Sequence, residues 1–141
     1  MTLKTWAGFE EIDHTADLEL KIWGEDIALL FEQAALGMKD LLQVEAVSPQ
    51  EGSIVKNFSV EGIDIEGLLV SFLSELLYYL ETENLVVQEV NLHFEEKKSL
   101  DARIRCQRVS SYLREIKAVT YHNLEIRKTE QGWTANLVFD I

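Results

Sequence analysis

Three oxygen-donor residues at the two ends of this 141-residue chain set the chemistry worth testing. Asp17 closes the pentapeptide Asp13-His14-Thr15-Ala16-Asp17, just before a run in which Leu18, Leu20 and Ile22 alternate with Glu19, Lys21 and Trp23. That period of two predicts a strand, with Asp17 on its polar side at the very start. Asp140 occupies the matching place near the other end. In the segment from Trp133 to Ile141, Trp133, Ala135, Leu137 and Phe139 share one face, and Thr134, Asn136, Val138 and Asp140 share the other. Beside Asp140 stands Ile141 with its carboxylate. Two aspartates and a chain terminus are hard oxygen donors of the kind a divalent cation takes. An aspartate before a strand is also an ordinary solvated turn residue, and that reading stands beside the first.

Other chemistries find little support. The seven glycines are scattered and build neither GxGxxG nor GxxxxGK. One cysteine and three widely separated histidines give no zinc signature, and no local Ser-His-Asp or Cys-His pattern stands out. His14, Lys117 and His122 remain as possible supporting or partner-contact residues. A hydrogen-bonded structural role for each histidine and a solvated strand role for the lysine are the competing readings.

Thirteen Lys and Arg face twenty-five Asp and Glu, a formal net charge of −12. Phosphate neutralisation drives nucleic-acid affinity, so no strong direct binding of RNA or DNA is expected. A basic protein partner suits this charge better. No apolar run approaches the roughly 18 residues a membrane span needs, and the first eight residues lack the continuous apolar stretch of a signal peptide. The lone Cys106 cannot form an internal disulfide, which suits a reducing cytoplasm.

The elements that must position these donors follow from periodicity. Asp26 reads as the N-cap of an amphipathic helix from Ile27 to near Gln43. Residues from Val44 to Gly52, with the only proline, Pro49, read as a connection. Ile54, Phe58 and Val60 suggest a strand. Asp64 caps a second helix whose broad apolar face, Leu68 to Leu80, predicts the central packing element. Tyr78 and Tyr79 at its far end read as core or rim aromatics rather than a stacking platform. Leu85 to Glu95 is a strand with His93 on its solvated face, Glu96-Lys97-Lys98-Ser99 a hairpin turn, and Leu100 to Cys106 the return, with Cys106 a core thiol. Gln107 to Arg114 looks like a locally basic loop, Glu115 to Arg127 a long strand, and Trp133 to Ile141 the last one. This order predicts an α+β fold in a single domain over residues 1–141. Two α-helices pack on one face of an antiparallel or mixed β-sheet.

Four stretches together resemble the archease family. They are His14-Thr15-Ala16-Asp17 ahead of Trp23-Gly24, the helix segment from Phe72 to Glu83, the octapeptide from Glu115 to His122, and the ending Phe139-Asp140-Ile141. Their order and spacing cover about residue 9 to the last. The resemblance implies a non-enzymatic accessory protein of the GTP-dependent tRNA-splicing RNA ligase, which joins a 3′-phosphate end to a 5′-hydroxyl end. Such proteins promote guanylylation of the ligase and its multiple turnover. The resemblance also implies a divalent cation, calcium, held by Asp17, Asp140 and Ile141. One departure is visible: archeases commonly carry Gly-Glu near the end of the hairpin strand, where this chain has Cys106-Gln107 and a short loop. The alternatives are a stand-alone metal-dependent phosphoesterase or nuclease, for which two carboxylates and a cation could activate water, and a general chaperone.

Overall fold

The computed structural model describes residues 5–12, 17–47 and 52–141. Nine strands and two helices follow in the order β1 (Ala7–Ile12), β2 (Leu18–Gly24), α1 (Ile27–Leu42), β3 (Val44–Val47), β4 (Ile54–Glu61), α2 (Ile65–Glu83), β5 (Leu85–Glu95), β6 (Ser99–Tyr112), β7 (Ala118–Thr120), β8 (Arg127–Lys128) and β9 (Trp133–Asp140). The α+β class is as the sequence predicts, and every strand pair is antiparallel.

The strands form two sheets rather than one. The first runs β1-β2-β9-β7, with β8 also on β9. In the second, β6 is the spine and pairs with β3, β4 and β5. Each helix touches both sheets. α1 packs on β1 and β2 of the first and β5 of the second, and α2 on β4, β5 and β6 of the second and β7 of the first.

Both helices begin where a carboxylate can accept a free amide. Asp26 Oδ1 accepts from the Leu29 N–H at 2.8 Å, and Asp64 Oδ1 from the Gly67 N–H at 2.7 Å. They stop at Gln43 and Asn84, both left-handed, at φ 52° and 57°. Leu30, Phe31, Ala34, Ala35, Met38, Leu41 and Leu42 of α1 and Leu68, Leu69, Phe72, Leu73, Leu76, Leu77 and Leu80 of α2 are buried, so the predicted apolar faces are the ones used. Phe31, Phe72, Phe58 and Phe94 join the helices to the second sheet, with neighbouring ring centroids 5.0–6.1 Å apart. Tyr79 packs on Phe58, while Tyr78 is exposed. Gly37 lies where α1 crosses Leu20. A Cβ there would come within 2.5 Å of a Leu20 methyl, so the crossing depends on its absence.

Four expectations are corrected. The segment ahead of Asp13 is not an arm but β1, an edge strand on β2 with no alternation of its own. Val44–Val47 of the expected connection is a short strand on β6, while Pro49 lies outside the described residues. Gln107–Tyr112 is strand, not loop. β6 continues past Cys106 and shifts phase, so that Cys106 and Val109 are both buried. The arginines there are engaged: Arg105 with Glu89, Arg108 with the Glu83 carbonyl, and Arg114 with Glu11. The strand expected from Glu115 to Arg127 is two short pieces, β7 and β8. A turn separates them, in which the Leu124 N–H donates to the Tyr121 carbonyl at 3.0 Å and Asn123 is left-handed at φ 53°.

Candidate cation site at the end of the first sheet

β9 lies between β2 and β7, and the two registers bring the proposed donors to one end of the sheet. Leu18 faces Phe139 and Glu19 faces Val138, so Asp17, just ahead of β2, and Asp140, at the end of β9, come at the same end of the sheet. On the other side of β9, Ala118 faces Asp140, and the Lys117 N–H donates to the Asp140 carbonyl at 2.7 Å. Lys117 therefore flanks Ile141.

The alternation explains why the carboxylates point away from the core. Leu20, Ile22, Ala135, Leu137 and Phe139 are buried on the helix-facing side. Asp17 and Asp140 belong to the other, water-facing side of an antiparallel sheet. Asp140 is exposed and Asp17 partly so. Neither side chain has a hydrogen-bond or ion-pair partner among the described residues. Carboxylates at the ends of adjacent strands, with an exposed Ile141 alongside, are the donor type that calcium accepts.

His14 lies outside the described residues, as do Asp13, Thr15 and Ala16. His122 is not gathered into the site. β7 leads away from Asp140 to the turn, where the exposed His122 receives only local contacts: its N–H donates to Thr120 Oγ1 at 3.3 Å and its ring meets Asn123 Nδ2 at 3.2 Å. Among the described residues, no group of three or more His, Cys, Asp or Glu side chains converges on one point. Cys106 is buried, and desolvation pushes its thiol up to about 11, which leaves it a core residue rather than a nucleophile. No helix of the described residues is long and apolar enough to cross a membrane.

A family model described as the archease protein family matches residues 9–141, which is nearly the whole chain. The chain belongs to the archease family. Curated archeases are similar along their full length. That of Methanosarcina barkeri is 34% identical, with 94% of this chain and 95% of that one aligned. That of Thermococcus gammatolerans is 36% identical, over 94% and 98%. Among solved structures, the solution structure of Methanobacterium thermoautotrophicum protein 1598 superposes with a TM-score of 0.70 at 26% identity, over 95% of this chain and 99% of that one. The crystal structure of an archease from Thermotoga maritima, described as a possible chaperone, gives 0.68 at 19% identity over 94% and 96%, a likeness of fold. The match spans residues 9–141, with β6 and its Cys106-Gln107 included.

The sequence reading missed a second feature. A groove between segments 61–64 and 121–126 exposes Ile63 and Tyr121. Its signals were faint: Ile63 follows Gly62 outside any apolar period, and the His122-Asn123 pair is a turn-former that the apparent strand alternation concealed.

Proposed function

We propose that this archease is an accessory protein that activates the GTP-dependent tRNA-splicing RNA ligase in the cytoplasm. In this reading it promotes guanylylation and repeated turnover, with a calcium ion at Asp17, Asp140 and Ile141. What supports the reading is the register of β9, in which Phe139 faces Leu18, so that Asp140 and Asp17 come at the same end of the sheet, with no partner for either carboxylate among the described residues.

Three carboxylates would supply about six oxygens at most, the low end of the six to eight that calcium takes, which leaves room for a ligase or nucleotide oxygen in its shell. Asp17 and Asp140 would hold the ion by charge, Ile141 would add a carbonyl or carboxylate oxygen, and the Lys117 N–H bond to the Asp140 carbonyl fixes the strand end that presents them. The bound cation would supply positive charge at an otherwise negative corner. Lys117, exposed beside Ile141, would meet a phosphate or a ligase carboxylate. A stand-alone phosphoesterase would need a general base close to the carboxylates. Of the two candidates, His122 lies in the turn beyond β7, away from the carboxylates, and His14 lies outside the described residues.

The test is the rate of GMP transfer to the purified ligase with unmodified, Asp140→Ala and Asp17→Ala proteins, each checked for folding. Both variants should remain folded and lose the acceleration. The double variant should be little worse than either, because residues acting as a unit are not additive. Full acceleration by a folded Asp140→Ala protein would reduce the cation to a structural clip.

A further inference from the structure

We infer that the groove between segments 61–64 and 121–126 is a docking site for a protein segment that presents one aliphatic or aromatic side chain flanked by lysine or arginine. The inference rests on reading this chain as the accessory of a protein partner. Ile63 is 94% exposed, the most of any large hydrophobic among the described residues, and Tyr121 is 62% exposed. Isolated exposed apolar residues are ordinary, but these two line one groove together with Leu124 over a floor that includes Gly67. Both are held open to water rather than folded onto the core.

The walls are rigid. On one side the Gly62 N–H donates to the Lys98 carbonyl at 2.9 Å. A Cβ at Gly62 would lie 2.3 Å from the Leu68 nitrogen, so this wall can approach α2 only as glycine. On the other side the Leu124 N–H closes its turn onto Tyr121, and the Ile126 N–H donates to Glu66 Oε2 at 2.9 Å, tying the loop to the first turn of α2. A groove ordered in advance loses little entropy when it is filled.

Charge selects the occupant. Glu61, Asp64 and Glu66 line the groove and no lysine or arginine does, in a chain of net charge −12. Nucleic acid would be repelled, whereas an apolar side chain with cationic neighbours satisfies both the walls and the rim. Strand addition along β4 is disfavoured, because Lys56 alternates inward there, a common guard against edge pairing. Tyr121 directly follows β7, whose first residue faces Asp140, so a segment seated in the groove lies about 10 Å along the strand from the carboxylate end.

The experiment titrates the full-length chain against the purified tRNA-splicing RNA ligase, reading Kd and the maximal rate of GMP transfer. Ile63→Asp and Tyr121→Ser alter exposed side chains, so each should keep the melting temperature of the unmodified chain. Each should weaken binding about tenfold, near 1.4 kcal/mol, while retaining the maximal rate at saturation. Glu61→Lys should weaken binding and flatten its salt dependence, whereas Ile63→Ser should weaken it with the salt slope unchanged. Unchanged affinity of both Ile63→Asp and Tyr121→Ser overturns the docking site and leaves the activator reading standing. A self-associating chain that Ile63→Asp makes monomeric, with ligase affinity unaltered, overturns it by assigning the groove to a second copy. A ligase that neither binds nor responds to the unmodified chain overturns both readings.

Discussion

At the Trp133 end of β9 the side chains close upon one another, and at the Asp140 end, about 24 Å further along the strand, they do not. Lys97 and Lys128 place their ammonium groups 4.8 and 5.6 Å from the centre of the Trp133 ring. Lys97 comes from the β5–β6 turn, whose Glu96 and Lys97 are both left-handed at φ 54° and 59°. A strained turn of the second sheet thus delivers a cation to an indole of the first. Thr134 Oγ1 adds a bond to the Ile22 carbonyl at 3.0 Å. At the other end the Asp140 backbone is paired, but its carboxylate and that of Asp17 meet no partner among the described residues. One end of the strand uses its polar groups on the fold. The other leaves them facing water.

The comparison can be broken most directly at Trp133. Trp133→Ala removes a ring that packs on the core and bridges the sheets, and should cost about 2–4 kcal/mol in chemical denaturation. Calcium affinity, read by titration of the still-folded fraction, should not change. A smaller effect is expected from Lys97→Ala, about 0.5–1 kcal/mol for one cation–π contact made by an exposed lysine. Stability unchanged within error would mean that the indole, not the cation, joins the sheets. The smallest effect on stability belongs to Asp140→Ala, within about 0.5 kcal/mol in chelator, since the side chain is exposed and has no partner among the described residues. With saturating calcium the unmodified chain should gain stability by mass action, and this variant should not. An equal calcium-induced rise in melting temperature for both proteins would place the cation elsewhere.

Periodicity alone determined much of this molecule. Both helices, their aspartate caps, the inward faces of β2, β6 and β9, and the burial of Cys106 follow from side-chain spacing, because each is a local pattern in which one face must leave water. Asp17 and Asp140 could be placed on the polar side of strand ends by the same rule. Tertiary pairing decided the rest. β1 is a strand because β2 offers it an edge, not because its residues alternate. β6 runs on through its change of phase because β3 and β5 supply partners there. The stretch from Glu115 breaks into β7 and β8 because β9 accepts it only at its two ends, and the turn between is tied to Glu66 of a helix sixty residues earlier. Strand order has no local signal either. Only the cation site that the resemblance implies called for the first long strand and the last to be neighbours, and they are, through a long-range pairing of β2 with β9 whose hydrogen bonds leave no trace in either segment.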